Sequence, residues 1–569
     1  MRKLLFYFIF LSFSPGLFSQ APADKRLAGL DTFVLKILKD WKAPGVSIAV
    51  VEKGKVVYTG GFGYRDMDKK LPVTENTQYA IGSCTKAFTA ALLGMLHADG
   101  KLDIDKPVRN YLPELKFQNE YTNAHATLRD MMCHRTGLPR HDFSWYASWA
   151  SRKEFLERIQ HLEPSKELRE QFQYNNFMFM AQGVVIEKIT GKSWEENMKE
   201  KILVPLGMTN TNMSTLDMEK SADHSLAFAT IKDSAIKAIP YRNIDAMGPA
   251  GSVNSSAKDM AKWLITWINN GKYNGKQILP PIFRTQAMTI QMATGGGLPG
   301  AENPDVHLSG YGLGWGISSY RGHYRVEHGG GIDGFISSTG FFPSDSIGIY
   351  VVSNQGQPVS VIRNFIADRM LKLPYRNWNK TQLDAAKKAR EAAKAVGKPD
   401  SSSRKFNTNP SHELQAYTGI YSSPGYGSIE IMLKDGSLVS KFNNMDVKLE
   451  HIHYDQFKTV VADPSEGIPP FPVSFHTDAK GDIGKLSVPF ESGVKDIEFT
   501  KETRAMAMNK SELEKYTGEY ELAPGAIAKF YLKGLILFAF IEGQPEYELV
   551  ATGKHQFDLK IMKGYSVKF

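Results

Sequence analysis

Cysteine is almost absent from this chain: Cys84 and Cys133 are the two present in 569 residues. That excludes a disulfide framework, and both fall in apolar helical patterns where a small buried thiol is expected. Long apolar runs are missing too. After the first residues no stretch approaches the ~18 consecutive apolar residues of a membrane span. Blocks of like charge are also lacking, so the formal net charge of +9 speaks to solubility and does not point to a nucleic-acid partner.

What is present begins with a basic tip, Arg2 and Lys3, an apolar run over residues 4–13, then Pro15, Gly16 and small residues. This pattern predicts a secretory signal over residues 1–22 and a secreted or periplasmic protein. At 569 residues the chain is too long for one core. The expected division is a domain over 24–375, a linker over 376–410 and a β-rich domain over 411–569.

Residues 81–100, IGSCTKAFTAALLGMLHADG, organise the first domain. Ser83 and Lys86 stand three apart, a spacing that puts both on one helical face. A hydroxyl is a weak nucleophile until a base adjoins it. The helix behind them is apolar on nearly every side, as expected of a central buried helix. The same S-x-x-K spacing occurs at Ser234, Ser255, Ser402 and Ser492. Ser255 competes most strongly, but the helix after it is amphipathic and Ser256 with Asp259 reads as a capping box, so a cap is expected there.

Around that helix, residues 27–41 read as a first helix, and residues 45–51 and 55–63 alternate as a hairpin. A short helix over 127–134 ends at His134, for which a structural role closing the helix on a backbone carbonyl is expected. Tyr174 and Asn176 stand at the mouth of an apolar-faced helix that runs to about residue 191. Residues 202–208, ILVPLGM, read as a strand or turn. Runs at 311–317, 324–328, 335–342 and 346–353 read as antiparallel strands completing the hairpin's sheet. Between two of them lies His328-Gly329-Gly330-Gly331, either a glycine bulge or turn or a strand whose backbone lies against a substrate.

Taken in order, Ser83-x-x-Lys86, Tyr174-x-Asn176 and His328-x-Gly330 resemble the three active-site elements of the serine β-lactamase and penicillin-binding-protein superfamily, most closely its class C and S12 peptidase branch. MMCHRTGLP, VVIEKITGKSW, ILVPLGMTNT and AGSVNSSAKDMAKWL resemble further stretches of that family, so the resemblance covers about residues 27–375. It implies an α+β fold, a three-layer antiparallel sheet flanked by helices with a helical subdomain. It implies Ser83 as acylated nucleophile, Lys86 and Tyr174 as proton-transfer partners and Asn176, His328 and Gly330 as substrate-binding residues. The oxyanion hole would be formed by the N–H groups of Ser83 and Gly331. No metal or other cofactor is implied. The substrate would be a small peptide, D-amino-acid amide or ester. In β-lactamases the third element is normally K-T-G. Here a histidine replaces the permanent cation and Gly329 carries no hydroxyl, which shifts the expectation from antibiotic hydrolysis to peptidase or esterase chemistry. The other functions left open are a β-lactamase and a non-catalytic ligand-sensing protein.

In the tail, ELQAYTGIYSS at 413–423 recurs as ELEKYTGEYEL at 512–522, each ahead of alternating runs. The repeat predicts a small antiparallel barrel or curled sheet. Its opening resembles the lipocalin-like C-terminal domain of some S12-type hydrolases.

Overall fold

In the computed structural model the described residues are 24–231, 235–300, 304–356, 358–396, 405–460, 470–502, 506, 508–553, 555–560 and 565–569. The expected secretory signal at 1–22 lies outside them, as do Ser234 and Ser402. The chain divides into two compact units, with the break at residues 399 and 400.

The first unit is built on a nine-stranded sheet. Its strands, in chain order, are β1 (Gly45–Glu52), β2 (Lys55–Asp66), β3 (Leu71–Pro72), β4 (Met292–Ala293), β5 (Ser309–Tyr311), β6 (Gly316–Tyr320), β7 (His323–Ile332), β8 (Phe335–Phe342) and β9 (Ile347–Ser353). They lie in the order β4-β5-β6-β7-β8-β9-β1-β2-β3. The N-terminal hairpin therefore joins the late strands through the antiparallel β1–β9 pair, Val46 opposite Ser353, as the alternation predicts. Seven of the eight β1 residues are buried, so both faces are covered. On one face, Val46, Ile48 and Val50 share a core with Leu30, Val34 and Ile37 of α1 (Leu30–Trp41) and with Ile362, Phe365 and Ile366 of a later helix, residues 358–370. On the other, Gly348 of β9 faces Val51 and Leu264. The sheet flanked by helices gives the expected α+β class.

α2 (Lys86–Ala98) is deeply enclosed, with eleven of its thirteen residues buried. It follows a 3-10 turn over Gly82–Thr85, so Ser83 precedes the α-helix and lies in the tighter turn. Side chains three apart eclipse in such a turn, which brings Ser83 and Lys86 together more directly than an α-helix. α3 (Asn176–Thr190) is capped by Asn175, whose side chain accepts from the Met178 N–H. α4 (Ala257–Ile268) is capped by Ser256, which accepts from the Asp259 N–H.

Local expectations change at Ser255, at Asp259 and over residues 202–208, and for the glycine run the strand alternative holds. Ser255 is not the cap: it lies in a short strand and bonds Thr211. The Asp259 carboxylate binds the Asn210 N–H and the Thr211 hydroxyl, so the cap at Ser256 works from one side. Residues 199–206 are helical, a π turn over Lys199–Leu203 running into Val204–Leu206, which contains Pro205. His328-Gly329-Gly330-Gly331 is neither bulge nor turn: it lies inside β7, paired residue by residue with β8 without a shift. Cys84 and Cys133 are free and buried.

In the second unit, eight strands from Gly419–Ser423 to Ile497–Lys501 form a closed barrel. Closure comes from Tyr421 and Ser422 pairing with Lys501 and Thr500. The second repeat opens a separate six-stranded sheet, Gly518–Ala523 to Ser566–Lys568. The repeated Y-T-G does the same local work twice. Tyr417 and Tyr516 end 3-10 turns and are buried, and Gly419 and Gly518 follow at φ +139° and +144°, a backbone that favours glycine.

Candidate active site

The structure brings Ser83, Lys86, Tyr174, Asn176 and His328 into one cluster. Lys86 Nζ lies 3.0 Å from Ser83 Oγ, 2.7 Å from Asn176 Oδ1 and 2.8 Å from the Ala250 carbonyl oxygen. The lysine is fully buried and all three partners are neutral. Burial, reinforced by the nearby Arg140 charge and opposed by Asp142, holds its ammonium well below the ordinary lysine range. As a neutral amine it has two N–H groups for Asn176 and Ala250 and a lone pair for the Ser83 hydroxyl.

Tyr174 sits beside this pair, with Lys86 Nζ 4.9 Å and the Arg140 guanidinium 4.8 Å from its ring centre. Desolvation pushes its phenol above the usual range even though the Ser83 hydroxyl bonds it, so at neutral pH it stays protonated. Asn176, expected at the substrate, braces the lysine: Oδ1 accepts from Lys86 and Nδ2 donates to Asp142 Oδ1 at 2.9 Å. Asp142 in turn accepts from Trp145 Nε1 and Arg140 Nε. Sequence reasoning missed Arg140 and Asp142. The only signal was their place directly after the R-T-G-L-P stretch.

His134 takes a structural place different from the one expected. Its Nδ1 accepts from the Asn175 backbone N–H at 3.1 Å, and its carbonyl accepts from Gln173 N–H at 2.7 Å. Ring and carbonyl together hold the residues on either side of Tyr174, with the imidazole 4.3 Å from the tyrosine ring. Burial keeps it neutral, well below its ordinary pKa.

His328 closes the cluster. Its Nδ1 is 2.6 Å from the Gly329 carbonyl oxygen and its Nε2 2.7 Å from the Tyr311 hydroxyl. The carbonyl can only accept, so Nδ1 carries the proton and Nε2 accepts from Tyr311. Burial, with the Lys86 charge adding to it, lowers its pKa to about 4. The third element therefore supplies no cation at neutral pH.

The glycines of that element are explained by the nucleophile turn. A Cβ on Gly330 would lie 1.9 Å from the Ile81 carbonyl oxygen, and one on Gly82, itself at φ +51°, 2.8 Å from Gly331 N. β7 and the Ser83 turn touch through bare backbone. Ser337 of β8 donates to the Ile81 carbonyl at 2.7 Å, and Cys84 Sγ to the His328 carbonyl at 3.2 Å. The N–H of Gly331 is thus held next to the residue preceding Ser83. Among the described residues no group of three or more metal-binding side chains occurs.

The family model described as Beta-lactamase matches residues 30–370, and that of a domain of unknown function, DUF3471, matches residues 403–501. Unguisins hydrolase ungD′ of Aspergillus campestris (strain IBT 28561) is 29% identical over 438 residues, 72% of this chain and 78% of that protein. Protein flp of Staphylococcus aureus (strain NCTC 8325 / PS 47) is 27% identical over 330 residues, 57% of this chain and 62% of that protein. The structure of the octameric penicillin-binding protein homologue from Pyrococcus abyssi shares the fold, with a TM-score of 0.55 at 23% identity, covering 83% of this chain and 99% of that one. With the Beta-lactamase model spanning more than half of its length, the chain belongs to the Beta-lactamase family of serine hydrolases.

Proposed function

We propose that the protein is an exported serine hydrolase of the S12 and class C type, acting through an acyl-enzyme on peptide, D-amino-acid amide or ester substrates. The observation that carries this reading is the 3.0 Å approach of a buried lysine with neutral partners to Ser83 Oγ. The Ser83 proton passes to Lys86 Nζ as Oγ attacks the substrate carbonyl. The N–H groups of Ser83 and Gly331 receive the oxyanion, a term commonly worth several kcal/mol. Tyr174, a phenol beside both Ser83 and Lys86, hands a proton to the leaving group, which departs and leaves the ester on Ser83. Water then attacks that ester, giving a proton to the Tyr174 phenolate while the Lys86 ammonium returns its proton to Oγ, so that both groups regain their starting state.

A neutral His328 beside a bare Gly329 offers no fixed charge or hydroxyl for a β-lactam carboxylate, which favours amide and ester substrates and slow or absent β-lactam turnover. The relative's name, unguisins hydrolase, supports hydrolysis as the reaction class. Export rests on residues 1–22; an intact N-terminus on protein recovered from cells would exclude cleavage there. A fluorophosphonate probe tests the core reading. Adduct mass on Ser83, absent in Ser83→Ala, together with turnover of a D-amino-acid amide or p-nitrophenyl ester, is expected. No adduct with any acylating probe would leave a ligand-sensing protein instead.

A further inference from the structure

Three segments that meet at the nucleophile also meet one another a few residues further on, in a contact the proton relay does not use. Gly331 of β7 lies against Gly82, and Gly251 stands between Gly82 and the Ile244 side chain. Asp142 accepts from Asn176, the brace of Lys86. Asp333 comes two residues after Gly331, Arg242 two before Ile244, and Tyr146 four after Asp142. The Tyr146 hydroxyl donates to Asp333, 2.9 Å from Oδ1 and 2.8 Å from Oδ2. Arg242 Nε donates to Asp333 Oδ2 at 2.8 Å, and its guanidinium lies 4.8 Å from the Tyr146 ring centre.

This bridge is held firmly. Gly334 follows Asp333 at φ +75°, and a Cβ there would lie 2.6 Å from Ala227 Cβ and 2.9 Å from Phe228 N, so the turn is wedged against strand Ala227–Ile231. The Tyr146 N–H donates to the Asp142 carbonyl at 2.8 Å. The Asp333 and Arg242 side chains are mostly covered, which strengthens their charge-assisted bond.

The run of the substrate decides what the bridge faces. In the hydrolase reading Tyr174 serves the leaving group, and its ring lies 6.3 Å from that of His328, at the early end of the H-G-G-G run. Gly331, at the late end, serves the carbonyl oxygen. The acyl portion therefore runs onward from Gly331 towards Asp333. β6 pairs with β7 only as far as Glu327, so beyond it that edge of β7 meets no strand among the described residues and is open to a substrate. Two residues of extended strand span about 7 Å, room for a single acyl residue.

We infer that Tyr146, Asp333 and Arg242 form the end wall of the acyl half of the site and confine the substrate to amides and esters of single amino acids or small acids. A second residue ahead of the scissile bond meets the bridge. The inference rests on the hydrolase reading and narrows it. Burial of methylenes ordinarily favours longer esters; a wall reverses that order.

The test is kcat/KM of the full-length protein on p-nitrophenyl acetate and p-nitrophenyl octanoate, read as the ratio of the two so that the amount of active protein cancels. The parent is expected to favour acetate by about tenfold or more. Tyr146→Ala and Arg242→Ala, which each remove part of the wall, are expected to lower that ratio by about fivefold or more, and thermal melts identify the variants that fold. A parent that favours octanoate, or a ratio unchanged in the variants that melt cooperatively, overturns the wall. A parent that turns over no ester and takes no adduct on Ser83 fails the hydrolase reading, and the wall falls with it; ester turnover with no preference for the short chain fails the wall alone.

Discussion

Asn176 Oδ1 lies 2.7 Å from Lys86 Nζ, so the asparagine of the second element is a neutral brace for the base. A carboxylate there would favour the charged lysine, by about one to three pH units for an opposite charge at such range. Asn176→Asp is therefore expected to lower kcat/KM at pH 7 by tenfold or more and to move the acid limb of the pH profile upward, with recovery at alkaline pH. An unshifted limb with the same loss would show Asn176 acting on substrate instead.

Arg140 acts on the same group with the opposite sign. Its positive charge lowers the Lys86 pKa, but its side chain is 53% exposed, so water screens the effect. Arg140→Ala is expected to raise the acid limb by about half a pH unit, and Arg140→Lys to restore it. Steady-state ester hydrolysis from pH 5 to 10 decides it.

Gly330 and Gly329 separate packing from chemistry. Gly330→Ala drives a methyl into the Ile81 carbonyl, with an expected loss of about 1–3 kcal/mol and of probe labelling. For a Cβ on Gly329 the nearest contact is Ser337 O at 3.8 Å, so Gly329→Ala should melt like the parent. Thermal melts of the two variants, side by side, check this.

Acid should unfold the first unit early. His328 and His141 are both lowered to about 4 by burial, and burial also holds His134 well below its ordinary range. Unfolded histidine titrates near pH 6.5. Between these values the unfolded chain binds more protons, so stability rises with pH there. The stability these neutral rings contribute is present above about pH 6.5 and lost by about pH 4. His328→Gln should flatten part of that slope in melts taken from pH 4 to 7; an unchanged slope would show that His328 takes up its proton without unfolding.

Much of this was legible because it is local. Alternation predicts the β1–β2 hairpin and the late strands, and the enclosed helix behind Ser83 follows from residues that are apolar all round. The ordered motifs bring Tyr174, Asn176 and His328 to Ser83. What escaped depends on distant neighbours. Gly330 looks like a bulge glycine until Ile81 is placed against it. Residues 199–206 carry too short an apolar run to separate helix from strand. Arg140 and Asp142 have no periodicity to advertise them. The two Y-T-G openings are nearly alike, yet one leads into a barrel that closes where strand Gly419–Ser423 meets Ile497–Lys501, a pairing no short window contains.

The β1–β9 pair also orders events during synthesis. Val46 finds Ser353 only after some three hundred further residues have left the ribosome, and Gly330 must arrive before the Ser83 turn has its wall. Pairings of such sequence separation form slowly. The nascent chain therefore carries its serine and lysine long before they have a site, and hydrolytic competence arises only when the last central strand docks.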